Sequence, residues 1–261
     1  MILRLAVVAL AAFLTVPTAV VIAVSFNPTA ILSFPPAGFS LRWYVNVLTY
    51  PQFQRAALNS LLVTGWAAAL ALPVGTLAAM ALERGRLRGR NLWAAALLSP
   101  LVVPGVAAGL GFLILAASLG LLRSRSVLIA AHVALVLPFV VRSVWVSVRN
   151  LDPAFERAAA SLGATPWRTF RRVTLPLLAP GLTAGLLFAV IVSANEFVVS
   201  LFVSNRLTEI LPVAMFSYVV NYTDPTIAAM SSLFIGVTFA AVWLADRFFG
   251  LAAVFLLDLD R

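Results

Sequence analysis

FERAAASLGATPWRTFRRVTLPLLAPG, residues 155–181, interrupts a chain that otherwise reads as one apolar run after another. Within 27 residues it carries Arg157, Arg168, Arg171 and Arg172 together with Pro166, Pro176 and Pro180. Its meaning depends on what flanks it. Immediately downstream, 173–195 has no charged residue, and upstream 127–148 has only Arg142, near its end, where a long side chain can snorkel to an interface. The whole chain follows that pattern. Of its 261 residues 62% are hydrophobic and 10% charged, against about 25% charged in soluble domains, and the mean hydropathy is +1.05. A water-soluble fold is excluded on that balance. With no cysteine, disulfides, thiolate metal sites and cysteine nucleophiles are excluded as well.

A helix needs about 20 apolar residues to cross a bilayer. Runs of that length predict six spans at about 5–26, 58–82, 92–120, 127–148, 181–203 and 226–246, in one transmembrane domain covering 1–261. The first could be a cleaved leader, but leader cores run about 7–15 residues before a small-residue cleavage site. LAVVALAAFLTVPTAVVIAV is longer, and the reading retains it as a span.

Six spans put both termini on one side. With the termini in the cytoplasm, thirteen arginines fall inside: 4, 84, 86, 88, 90, 142, 149, 157, 168, 171, 172, 247 and 261. Five fall outside: 42, 55, 123, 125 and 206. The positive-inside rule selects this orientation, and it accounts for the net charge of +9 without nucleic acid. The stretch 155–181 is then cytoplasmic. In the first outer loop, about 27–55, Pro28, Pro35, Pro36 and Gly38 act as breakers, and Trp43 and Tyr44 have the character of interface anchors. EILPVAMFSYVVNY, near 209–222, is apolar but too short to span, and predicts a short helix at the outer surface.

The central stretch contains paired start and stop signals. Asp152 followed by Pro153 opens a helix that Gly163 ends, and Thr165 followed by Pro166 opens a second, which Pro176 and Pro180 end. Ala158, Ala159 and Ala160 offer a surface that another protein can approach closely. Trp167, Phe170 and Val173 alternate with Arg168, Arg171 and Arg172 in a pattern suited to lipid headgroups. Residue chemistry alone leaves two readings open, an interfacial loop helix and a docking surface.

The spacing resembles that of permease subunits of binding-protein-dependent ABC importers. Their last large cytoplasmic loop carries Glu-Ala-Ala, a Gly four residues later, and an aliphatic residue shortly before Leu-Pro. Arg157-Ala158-Ala159, Gly163, Val173 and Leu175-Pro176 stand at those positions, with Arg157 where the motif has Glu, and Glu156 one residue earlier. FSLRWYVNVL, LERGRLRGRNL, SPLVVPGVAAGL, AHVALVLPFVV and NEFVVSLFVSNRLTEILPVAMFSYV extend the likeness along nearly the whole chain. It is nearest to the spermidine/putrescine permeases of the second-subunit type. The resemblance implies an all-α integral membrane protein of the bacterial inner membrane, with the type I importer fold and a coupling region at 152–176. Glu156, Arg157, Ala158, Ala159, Gly163, Pro166, Leu175 and Pro176 would face the ATPase. It implies a second permease subunit in a heterodimer, two cytoplasmic ATPases that carry ATP and Mg, an external solute-binding protein, and no cofactor on this chain. No GxxxxGK[ST] run occurs, consistent with ATP chemistry on a partner.

Among residues inside the predicted spans, Glu196 is the only acid placed away from a span end. A charge at mid-bilayer costs on the order of 3 kcal/mol, so such a residue faces a pore or a partner. Asn195-Glu196, with one carboxylate, partly matches an often acidic pair along the substrate path of polyamine permeases, and the resemblance implies that Glu196 is a transient counter-ion for a cation. The competing reading pairs it with an arginine near the outer interface. Ser99, Pro100 and Tyr218 are the further path residues, although Leu101 stands where that group often has an acid. His132, the single histidine, reads as a buried group bonded to a neighbouring helix. Pro73, Pro100, Pro104 and Pro138 are expected to bend their spans. The substrate reading is polyamine, ahead of another organic cation, an amino-acid-like compound or ferric iron. An ion-coupled secondary transporter would need several intramembrane acids or paired repeats. An intramembrane enzyme would need a nucleophile beside a base. Neither pattern is legible.

Overall fold

The computed structural model describes residues 2–85, 87–122 and 124–249. Arg86, Arg123 and Arg261, counted above for topology, lie outside the described residues. The described chain is helical: α1 Ile2–Val24, α2 Arg42–Thr49, α3 Pro51–Arg84, α4 Arg90–Leu98, α5 Gly105–Ser118, α6 Arg125–Asn150, α7 Ala154–Ser161, α8 Pro166–Thr169, α9 Leu175–Leu177, α10 Ala179–Ala194, α11 Val198–Val203, α12 Leu211–Asn221 and α13 Thr226–Phe249. Three of these, α1, α3 and α6, are long and apolar enough to cross a membrane unaided. Two bent pairs pass the same test together: α4 with α5, at 99°, and Pro166–Leu177 with α10, at 67°.

Two stretches expected as single helices are therefore broken. In 92–120 the break falls at Ser99–Pro104. A 3-10 turn at Ser99–Leu101 is followed by Pro104 at φ −57°, ψ 135°, an extended ψ that ends one helix before α5 begins at Gly105, and proline has no N–H to continue the helical bonding. By contrast Pro73 and Pro138 sit inside continuous helices. In 181–203 the helix stops at Ala194 and restarts at Val198. The second helix of the central stretch does not end at Pro176 either. It widens into a π turn over Phe170–Thr174, continues through Pro176 and bends at Leu178.

The Cα packing groups the chain into two compact units, Met1–Leu58 with Ile210–Trp243, and Asn59–Glu209 with the chain from Leu244. In the first, Trp43, Val47, Phe53, Ala56, Ala214, Tyr218, Ala229 and Met230 form the core. Trp43 is 4% exposed and its indole N–H donates to the Asn27 carbonyl at 2.6 Å. It is thus a core residue and not the outward anchor its position implied. In the second unit α10 lies along α6, and α11 along α5. The core joins Ala67, Ala68, Ala71 and Ala79 of α3 to Val136, Val140, Val144 and Val148 of α6. Gly181, Gly185, Ala189 and Ser193 are all buried and recur every four residues along α10. Lipid is as apolar as leucine, so helices in a bilayer associate by close van der Waals contact, which small residues permit. At Gly185 even a Cβ would already touch the Val140 backbone, 3.4 Å away.

Candidate functional site: the coupling segment and the α10–α11 break

The start signals of the central stretch behave as read. The Ala154 N–H donates to Asp152 Oδ1 at 2.8 Å, and the Arg168 N–H to Thr165 Oγ1 at 3.4 Å. Gly163 takes φ +78°, with its N–H bonded to the Ala160 carbonyl at 2.9 Å. The outcome is a short helix, a left-handed glycine turn and a second helix. Ala158 and Ala160 are exposed, as are Phe155, Leu162 and Trp167. Trp167 stacks on Phe170, ring centroids 5.6 Å apart. Pro166 and Pro176 are exposed and Leu175 half-buried.

Glu156 and its neighbour Arg157 divide their roles. Arg157 is exposed, whereas the Glu156 carboxylate turns inward, where it pairs with Arg84 at the end of α3 and accepts a hydrogen bond from the Thr174 hydroxyl. Arg84 and Thr174 had no marker in the sequence: their link to Glu156 spans 72 and 18 residues. The residue beside Arg84 does the same for other elements. Glu83 Oε2 accepts from Trp145 Nε1 of α6 and from Arg90 of α4, both at 2.6 Å, and the Arg90 guanidinium stands over the Trp145 ring. The last two residues of α3 thus tie α4, α6 and the 152–176 segment together.

Partial burial raises the Glu156 pKa, but the hydrogen bonds from Arg84 and Thr174 and the Arg84 charge outweigh it, so the carboxyl sits below its ordinary value of 4.5. A group whose folded pKa is depressed stabilises the fold above its unfolded pKa and loses that contribution as pH falls through the folded value. Glu156→Gln is therefore expected to melt below the parent protein at pH 7, and the gap should close progressively below pH 4.5. Melting curves of the purified protein across pH 3–7 measure it; a gap that does not depend on pH contradicts the ion pair.

The second feature is the break between α10 and α11. Asn195 is exposed and its amide donates to the Ile191 carbonyl at 2.8 Å, closing α10. Glu196 is half-buried, and its Oε1 accepts from the Val199 N–H at 2.8 Å, opening α11. The two polar residues that marked this stretch thus satisfy the backbone groups that a broken helix frees. Behind them lies His132, 1% exposed on α6. Its Nδ1 is 2.8 Å from Ser193 Oγ and its Nε2 is 2.9 Å from Ser200 Oγ. Ser193 in turn donates to Thr64 Oγ1 of α3 at 3.1 Å. With the Ser193 proton given to Thr64, Nδ1 carries the ring proton and Nε2 accepts from Ser200. The expectation of a buried histidine bonded to a neighbouring helix holds, with two partners in place of one.

Ser99 is exposed and its hydroxyl returns to the Ala96 carbonyl at 2.8 Å, while Pro100 is half-buried in the 3-10 turn. Tyr218 belongs to the first unit. It is 5% exposed, its hydroxyl donates to Asp224 Oδ2 at 2.9 Å, and its ring packs against Tyr50, Phe53 and Tyr222.

Residues 71–249 match the family model described as binding-protein-dependent transport system inner membrane component. The putrescine transport system permease protein PotI of Escherichia coli is 35% identical over 246 residues, 90% of this chain and 87% of that one. The spermidine/putrescine transport system permease protein PotC of Haemophilus influenzae is 32% identical over 236 residues, 90% and 91% of the two chains. Among solved structures, a bacterial ABC transporter involved in the import of the acidic polysaccharide alginate superposes with a TM-score of 0.72 at 18% identity, covering 93% of this chain and 94% of that one. A second structure, of such a transporter in complex with an alginate pentasaccharide-bound periplasmic protein, gives 0.71. At that identity the likeness establishes the fold. By sequence and by fold, the chain belongs to the binding-protein-dependent transport system inner membrane component family, as a multi-pass permease subunit of an ABC importer.

Proposed function

We propose that this chain forms one half of the translocation path of a polyamine importer. The observation that carries the reading is the 35% identity to a putrescine permease across 90% of the chain. In this reading the six predicted spans stand with both termini in the cytoplasm. A second, non-identical permease completes the pore, an external binding protein delivers a di- or polyammonium substrate, and two ATPases supply ATP and Mg. The chain itself carries no cofactor.

The coupling segment 152–176 is where a partner ATPase docks. Ala158 and Ala160 let its surface approach the helix backbone, Phe155, Leu162 and Trp167 supply apolar contact, and Arg157 presents a positive charge to it. Closure of the ATPase pair on ATP pushes this segment. Because Glu156 is tied to Arg84 and Thr174, the push reaches α3 and the π turn leading into α10. Rigid-body rocking of packed helices then opens the path outward, and hydrolysis reverses it. Copurification tests the assembly: the tagged chain should bring down an ATPase and a second permease, and a chain that moves substrate alone on a proton gradient contradicts it.

At the break, Glu196 is the counter-ion for a passing ammonium group. One carboxylate oxygen holds α11, and the charge serves the path. Glu196→Gln keeps a carbonyl oxygen able to accept from Val199 but removes the charge. Losing a charge-assisted contact of about 1–2 kcal/mol corresponds to about a five- to thirty-fold change. Uptake of radiolabelled putrescine in cells lacking other polyamine importers should fall by that factor with assembly intact. Unchanged uptake assigns Glu196 to helix capping alone.

A further inference from the structure

Asn195 and Glu196 lie where two helices have come apart, and a broken helix in a bilayer must be held by something outside itself. The holding group is visible. His132 contacts the chain on both sides of the break: Ser193, two residues before Asn195, through Nδ1, and Ser200, four residues after Glu196, through Nε2. Both serines and the ring are essentially inaccessible, and Ser193 passes the chain of bonds on to Thr64 of α3. An imidazole has two nitrogens that flank one carbon of a rigid ring and point apart, so it fixes the separation of its two partners as an aliphatic residue cannot. Valines 136, 140 and 144 hold α6 by packing on the same helix, and that packing would survive loss of the ring.

The geometry points to His132 as a positioning residue: it spans the α10–α11 break from behind and sets where the Asn195–Glu196 segment stands. It touches no substrate. The inference rests on the reading of Glu196 as counter-ion for its functional meaning, but the span across the break stands on the two serine bonds alone.

The two parts are separable by experiment. The natural chain has no cysteine, so Val199→Cys, fully buried beside the break, gives this subunit a single reporter that an alkylating reagent reaches only on opening, and Ala79→Cys, fully buried farther along α3, gives a remote one. Alkylation by N-ethylmaleimide of the purified importer complex is followed on this chain. With His132→Ala the rate at position 199 should rise about tenfold, because a local opening held by two buried hydrogen bonds loses both. The rate at 79 should stay within about twofold. Ser193→Ala and Ser200→Ala should each give a smaller rise, and they serve where His132→Ala assembles poorly. An unchanged rate at 199, or an equal rise at 79, overturns the inference, the second because His132 would then support the fold at large.

Uptake of putrescine supplies the functional arm. If His132 acts through Glu196, His132→Ala should cost about tenfold alone but less than about twofold more in the Glu196→Gln background, the signature of coupled residues. Costs that multiply overturn a role through Glu196. A rise in labelling at 199 with no effect of Glu196→Gln on uptake supports the span across the break and defeats the counter-ion reading instead.

Discussion

Replacing Gly181 with valine is expected to remove most of the assembled protein from the membrane. A Cβ built at Gly181 lies 2.7 Å from the Ser147 Cβ and 2.9 Å from the Ser143 carbonyl oxygen, and it collides with the Ser147 hydroxyl as well. The hydroxyl can rotate; the carbonyl is bonded into α6 and cannot. Relief requires α10 to move away from α6, along which it lies. Overpacking of a core costs about 1–3 kcal/mol where the surroundings can yield, and two helix backbones in contact yield least. Gly181→Ala should show a partial loss that Ser147→Gly recovers in part, since the substitution clears the nearest side-chain atoms. Gly65→Ala, where a Cβ meets nothing within 4 Å, should assemble as well as the parent. Detergent-extracted complex, measured by fluorescence-detected size exclusion, reads all four. Equal yields for Gly181→Val and Gly65→Ala would falsify the close packing of α10 on α6.

The second large effect belongs to Gly163, and its cause is different. A Cβ there meets no atom within 4 Å, but the backbone stands at φ +78°. The left-handed region costs most side chains about 1–2 kcal/mol and a β-branched one more, while asparagine tolerates it. Gly163→Val is therefore expected to leave expression and assembly near normal and to misplace α7 against α8. Putrescine-stimulated ATPase and uptake should fall together by at least about tenfold, the equivalent of about 1.4 kcal/mol. Gly163→Asn should retain most of both. If valine and asparagine behave alike, the turn conformation is not what the coupling segment depends on.

Much of this could be read from residues close in sequence. Asp152, Gly163 and Thr165 are local signals, each acting within about four residues of itself, and the helix, turn and helix they announce are present. The family resemblance rested on the same stretch. What escaped reading is non-local. Nothing near Arg84 announces that it pairs with Glu156, and nothing near His132 selects Ser193 and Ser200. The two helix breaks were missed for another reason. Hydropathy measures how apolar a run is and is blind to backbone direction, so 92–120 and 181–203 each looked like one span. Pro100 and Pro104 bracket one break and Asn195-Glu196 fills the other, but in sequence a proline equally announces a bend and a carboxylate only a charge. The four-residue spacing of Gly181, Gly185, Ala189 and Ser193 was likewise legible and unused.

Glu83 and Arg84 are consecutive, opposite in charge, and each is held by a different part of the chain. That arrangement constrains how the protein can change over generations. A substitution at Arg84 strands a carboxylate on α7, and one at Glu83 frees both an indole and a guanidinium, so neither site can drift alone. A reversal of the first pair, Arg84 to Glu with Glu156 to Arg, is a permitted double step whose intermediates are each penalised. Positions 84 and 156 are thus expected to vary jointly among relatives, as are 83 and 90, leaving a record in sequences of contacts that no single sequence displays.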